Sequence, residues 1–320
     1  MSTVETVRGP VDVDALGPTL MHEHIVVADP AAIQNYNHAW GEPWWDEDVR
    51  VADAIQKLRR LRAGGIQTLV DPTTPGQLGR NIARVRRINA EVDLNIIVAS
   101  GFYAFLELPS YLAYRADDQI IELFVRELRE GIDDSGVKAA FLKCAVEAHG
   151  MIGDIPRIFA AVAAAAVETG APVMVHTSAP ARTGLVALET LTAAGVDPKR
   201  IVIAHAGDSN DLAYLRAIAD TGASLGCDRF GIAHFNPDAN RVETLAALVA
   251  EGYTSSVHLG HDAACFYDFM FHNPFFAAEK PDYLHISKHI VPALLAAGVT
   301  QAEVDEMLIA NPRRFFSQGS

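Results

Sequence analysis

The sequence is short of positive charge: 26 Lys and Arg stand against 40 Asp and Glu among 320 residues, a net charge of −14. A surface of that sign disfavours phosphate backbones and anionic lipid headgroups, so neither nucleic acid nor membrane is expected as a partner. Cysteine is scarce. Cys144, Cys227 and Cys265 are too few and too scattered for a disulfide framework or a zinc ribbon, which points to a reduced, cytoplasmic compartment. No apolar run approaches the roughly 18 residues of a membrane span. Met1 to Gly17 lacks the basic-then-apolar pattern of a signal peptide. No G-x-G-x-x-G or G-x-x-x-x-G-K-[ST] follows the first apolar run, where a nucleotide-binding fold would carry one.

What is present is alternation. Eight short runs rich in Val, Ile and Leu have the continuous apolar character of strands buried on both faces of a parallel sheet. They are Thr19–Val26, Gln67–Pro72, Leu94–Phe102, Ala139–Ala145, Pro172–Thr177, Ile201–Ala206, Ala223–Asp228 and Ser256–Asp262. Between them lie helical stretches such as Asp48–Gly64, Asp117–Gly131 and Ile155–Gly170, with apolar residues at three- and four-residue spacing. Asp208, Ser209 and Asn210 are candidate N-caps for the helix that Leu212 and Leu215 open. Glycines at 64–65, 170, 195, 222 and 252 end helices before strands. Eight such units suit a single α/β domain over residues 1–320, a (β/α)8 TIM barrel; an open doubly wound sheet is the alternative.

Two insertions follow strands and so belong to the C-terminal mouth, where barrels keep their active sites. Asn35–Trp45 holds all three tryptophans, Trp40, Trp44 and Trp45. Cys265–Phe276 holds Phe266, Tyr267, Phe269, Met270, Phe271, Phe275 and Phe276.

Ionisable residues cap the apolar runs. His22 and His24 flank Glu23 at the first strand end, and alternation puts both imidazoles on one side. Lys143, His176, His205 and Asp262 end later runs, the first three spaced by about one βα unit each. One such residue is usually a satisfied hydrogen-bonder; six at equivalent ends converge on one cleft with the donor types of a metal site.

Met21–His–Glu–His24, Lys143, His176, His205 and Asp262 together resemble the amidohydrolase superfamily, and within it the phosphotriesterase family and its lactonase branch. The likeness extends to Val70–Asp–Pro–Thr73, Ala204–His–Ala–Gly–Asp208, Asp228–Arg–Phe230 and Asn311–Pro–Arg–Arg–Phe–Phe316. It implies two divalent ions, Zn before Co, Fe or Mn. His22, His24 and Asp262 would hold the buried ion, His176 and His205 the exposed one. Lys143, carboxylated by CO2, would bridge them. A metal-bridging hydroxide would be the nucleophile, with Asp262 relaying its proton to the leaving alkoxide.

Tyr103 after the third strand and Arg229 after the seventh match the lactonase branch. The reading implied is an N-acyl homoserine lactonase of quorum-quenching type, with weak phosphotriesterase activity. Catalysis falls to Asp262, Tyr103 and Arg229, and substrate binding to Tyr103, Arg229, Cys265, Phe266 and Phe269. The aromatic loop would line an acyl-chain channel, with Cys265 at its entrance. A primary phosphotriesterase or other carboxylesterase on the same metals is the alternative. A Schiff-base aldolase at Lys143 and a non-catalytic barrel are weaker fits. The resemblance also implies a homodimer.

Overall fold

The computed structural model describes residues 2–39, 41–270 and 282–317. An antiparallel hairpin, β1 (Thr3–Thr6) and β2 (Gly9–Asp12), opens the chain. There follow β3 (Thr19–Leu20), β4 (His24–Val27), β5 (Thr68–Asp71), β6 (Asn95–Gly101), β7 (Phe141–Val146), β8 (Val173–Thr177), β9 (Ile201–Ala204), β10 (Ser224–Cys227), β11 (Val257–Leu259) and β12 (Ala264–Tyr267). The helices up to the last strand are α1 (Pro30–Tyr36), α2 (Glu47–Ala63), α3 (Ile82–Asn89), α4 (Ser110–Ala113), α5 (Asp117–Arg129), α6 (Ile155–Thr169), α7 (Thr183–Ala193), α8 (Leu212–Ala219) and α9 (Asp238–Ala250).

The sheet runs β3-β5-β6-β7-β8-β9-β10-β11, with every neighbour parallel. The Met21 N–H donates to the Leu259 carbonyl at 2.9 Å across the remaining gap, so the wall is closed. This is the (β/α)8 barrel, and each of the eight expected strands has a counterpart in it with shifted ends. Inside, Val70, Ile97, Phe141, Met174 and Val202 fill the end where the strands begin, joined by Val4, Val13 and Leu16 from the N-terminal segment and by Phe315 and Phe316. That plug seals the floor and leaves the C-terminal mouth as the open end.

Two local expectations are corrected. The first strand does not run from Thr19 to Val26. It stops after Leu20, and β4 leaves the wall to pair in parallel with β12. The irregular stretch is held by the Glu23 N–H on the Val70 carbonyl, the His24 N–H on that of Ala263, and the Asp262 N–H on that of His22, at 3.0, 2.7 and 3.0 Å. The cap of α8 is Asp211 rather than Asp208, Ser209 or Asn210: its carboxylate accepts from the N–H groups of Ala213 and Tyr214. The tryptophan insertion contributes packing, with Trp44 and Trp45 buried; Trp40 lies outside the described residues. No helix among the described residues is long and apolar enough to cross a membrane.

Candidate metal centre

Strand alternation delivers two of the candidate ligands. Phe141 and Met174 lie in the barrel interior, so Lys143 and His176, two residues further on, share that face one layer higher. His205 and Asp262 follow their strands with φ of 64° and 54°, a left-handed backbone uncommon outside glycine. That turn aims both side chains at the barrel axis. His22 and His24 arrive from the irregular stretch before β4.

The six residues named from the sequence come together. Asp262 Oδ1 lies 3.5 Å from His22 Nε2 and 3.2 Å from His24 Nε2, and Oδ2 lies 3.9 Å from His205 Nε2. His205 Nε2 and His176 Nδ1 are 2.9 Å apart. His22, His205 and Asp262 by themselves present ligand atoms within 4.8 Å of one another. Lys143 is buried among them.

Each imidazole is held by its other nitrogen, an arrangement that turns a lone pair inward once the ring is neutral. A single buried carboxylate, Asp228, accepts from Nδ1 of His22 at 2.8 Å and from Nδ1 of His205 at 2.9 Å. His24 Nδ1 donates to Thr73 Oγ1 at 2.7 Å, and Thr73 in turn donates to Asp71. His176 Nε2 lies 3.0 Å from Glu147 Oε1.

The charges agree with cation binding. Burial, then Lys143, pulls the His22 pKa down to about 4 despite Asp228 and Asp262. Burial and Arg229 hold His205 well below its ordinary value. His24 goes the other way: burial lowers it, but Asp262 and Asp71 outweigh burial and raise it to about 9. Burial lowers Lys143 to about 8, and its Nζ has no hydrogen-bond partner among the described residues. A buried ammonium offers three donors and normally finds acceptors for them. An orphaned Nζ facing four imidazoles and a carboxylate fits a bridging ligand between two cations.

Above this cluster opens a cavity of about 490 Å3, walled by Tyr103, Glu147, Arg229, Phe235, Tyr267 and Phe269 among others. Gly101 shapes its rim: at φ 111° a Cβ would sit 2.0 Å from the Lys143 carbonyl oxygen, so only glycine lets the chain pass to Tyr103. The Tyr103 hydroxyl donates to Glu147 Oε1 at 2.6 Å and lies 3.0 Å from His176 Nε2. Arg229 bridges two carboxylates, Asp262 Oδ2 at 2.9 Å and Asp208 Oδ2 at 3.0 Å, and lies over the Phe235 ring.

Phe269 lines the cavity, as expected, but Cys265 and Phe266 do not. On β12 both are buried away from the cavity. Phe266 is buried, stacked on Trp44 at 6.1 Å and beneath Arg50 at 4.1 Å. Cys265 is buried with Sγ 3.3 Å from the Tyr283 hydroxyl, and burial raises its pKa to about 12. Its expected place at the entrance is therefore corrected. Phe271, Phe275 and Phe276 lie outside the described residues.

Sequence reading assigned no role to Asp228, Glu147 or the Glu23–His261 pair. Glu23 Oε1 accepts from both the backbone N–H and Nδ1 of His261, and Oε2 accepts from the Ala263 N–H, at 2.8, 2.6 and 3.0 Å. One carboxylate thus grips the residues on either side of Asp262. The only signal for it was an acid placed between two histidines, pointing away from them.

The sequence model of the phosphotriesterase family matches residues 2–316. A phosphotriesterase homology protein of Mycobacterium tuberculosis is 40% identical over 327 aligned residues, 99% of this chain and 98% of its own length. An aryldialkylphosphatase of Saccharolobus solfataricus is 34% identical over 312, covering 94% and 95%. The solved structure of the phosphotriesterase from Mycobacterium tuberculosis superposes with a TM-score of 0.93 at 41% identity, covering 99% of this chain and 98% of that one. Convergent donors, an orphaned lysine and likeness along the whole chain agree: the protein belongs to the phosphotriesterase family and is a metal-dependent hydrolase.

Proposed function

We propose that the protein opens the lactone ring of N-acyl homoserine lactones, with weak phosphotriesterase activity as a side reaction. The observation that carries the reading is the pairing of Tyr103 and Arg229 on the cavity wall beside Asp262, next to the apolar side chains of Leu78, Ile232, Phe269 and Met270. The polar end suits an ester ring and the apolar wall an acyl chain.

His22, His24 and Asp262 would hold one divalent ion, and His176 and His205 the other. Lys143, once its Nζ has added to CO2 and lost a proton to solvent, would supply a carbamate as the anionic ligand shared by the two sites. Imidazole and carboxylate donors accept Zn, Co, Fe or Mn, and Zn2+ is the ion assigned here. When bound, the ions supply Lewis-acid polarisation of the carbonyl oxygen and a hydrolytic nucleophile at neutral pH.

The chain's own groups do the rest. Asp262 accepts the nucleophile's proton and returns it to the leaving alkoxide. Arg229 clamps Asp262 Oδ2 and fixes the direction of that carboxylate. The Tyr103 proton is committed to Glu147, so the tyrosine acts as a wall and oxygen acceptor rather than as a donor to substrate. The aromatic residues about the mouth exclude water from the acyl side. A homodimer belongs to the same reading, and sedimentation equilibrium tests it.

The test is a substrate panel on one metal-analysed batch, with lactones of several acyl lengths beside paraoxon. The reading expects the highest kcat/KM on long-chain acyl homoserine lactones. A higher kcat/KM on the phosphotriester would establish the alternative, a primary phosphotriesterase.

A further inference from the structure

Among the described residues, Glu147 is the one carboxylate on the cavity wall that is neither a candidate ligand nor clamped by an arginine. It follows β7, four residues past Lys143, and its side chain is 38% exposed. Oε1 is fully engaged: Tyr103 OH donates to it at 2.6 Å, and His176 Nε2 lies 3.0 Å away. Oε2 takes no hydrogen bond from any described residue. The other wall carboxylates differ. Asp208 is held by Arg229 and by Arg241, and Asp262 by Arg229 and the histidines. Glu147 therefore presents an open negative charge to whatever occupies the cavity.

We propose that Glu147 is a positioning and specificity-determining residue: Oε1 fixes Tyr103 and His176, while the free Oε2 receives an N–H of a neutral substrate and repels an anionic one. A carboxylate accepts a substrate amide N–H well, because a charged acceptor roughly doubles the strength of the bond. It repels a second carboxylate a few ångströms away, most strongly in a cavity that excludes water. The preferred substrate class is thus an uncharged ester or lactone bearing an amide N–H near the scissile group. This deepens the proposed lactonase reading and rests on it, since acyl homoserine lactones are neutral and carry such an N–H; what it adds is the residue that reads the charge of the ligand.

The test uses the metal-loaded, full-length protein and two ligands that differ in one group, 5-oxotetrahydrofuran-2-carboxamide and 5-oxotetrahydrofuran-2-carboxylate. Calorimetry gives the ratio of their dissociation constants for the native protein, Glu147→Gln and Glu147→Asp. The glutamine variant should move the ratio towards the carboxylate by about fivefold or more, and the aspartate variant, which keeps the charge, should not. The native ratio should also move towards the carboxylate as salt rises, which needs no variant to fold. An unchanged ratio in Glu147→Gln, an equal change in Glu147→Asp, or a ratio indifferent to salt each overturns the proposal. Because the readout is binding, a protein that binds but does not cleave these rings would count against the lactonase reading and leave this one standing.

Discussion

A lysine buried without an acceptor for its three N–H groups costs free energy that a structural role would not repay. At Lys143 the cost falls when the proton is lost, and burial eases that loss by bringing its pKa down to about 8. Lys143→Ala should therefore lose bound metal along with activity, and a small carboxylic acid should restore part of both by filling the bridge. Metal analysis of the purified variant checks this; unchanged metal content would count against the carbamate. His24 sets the pH dependence of uptake. Its folded pKa near 9 means that a proton occupies the position a cation needs at any pH below that. Metal affinity should fall between pH 8.5 and 6.5, and uptake should release protons, both measurable by chelator competition and by calorimetry in buffers of different ionisation enthalpy. Glu23 acts one step back. Glu23→Gln puts an NH2 where three N–H groups now converge on a carboxylate. The left-handed turn at Asp262 would loosen, and metal affinity should drop by about 10- to 100-fold, the usual cost of losing an outer partner.

At the scale of elements, β12 decides which aromatics face the substrate. Its residues alternate, so Phe266 packs against Trp44 and α2 while Phe269, beyond the strand, reaches the cavity. Phe266→Ala should cost about 3–5 kcal/mol of stability through the void it leaves, with little effect on acyl-length preference. Phe269→Ala, half exposed, should do the reverse. Urea unfolding and a chain-length series on both variants separate the two. Strand ends were readable from sequence because a parallel barrel buries both faces and its polar residues stand out against the apolar runs. The six candidate ligands were legible for that reason. The orientation of Cys265 and Phe266 was not, because nothing in an aromatic-rich stretch says where a twelfth strand begins. Nor was the break after Leu20, which depends on N–H groups finding carbonyls on Val70 and Ala263, far away in sequence. Asp228 and Glu147 escaped for a related reason: what each holds becomes visible only when distant strand ends meet.

For the whole molecule, the acidic exterior and the cation-binding interior are separate facts, since the formal −14 counts no metal. The barrel keeps them apart with a packed apolar floor, and His258 stands on it. The ring is buried against Phe315, its Nδ1 has no partner among the described residues, and burial with help from Arg314 lowers its pKa to about 3. In the unfolded chain the same imidazole titrates near 6.5. Above pH 6.5 it is neutral in both states and adds no pH dependence. As pH falls from 6.5 towards 3, the unfolded chain takes up a proton that the folded one refuses. Stability is then lost by up to about 1.4 kcal/mol per pH unit from this group alone. Other buried histidines contribute to the same slope, so the comparison must be differential. Urea unfolding of the native protein and of His258→Gln, at matched metal content between pH 6.5 and 4.5, should show the variant losing stability less steeply, by close to one proton. Parallel slopes would mean that the native floor admits the proton, and that the barrel is wetter at its closed end than its packing implies.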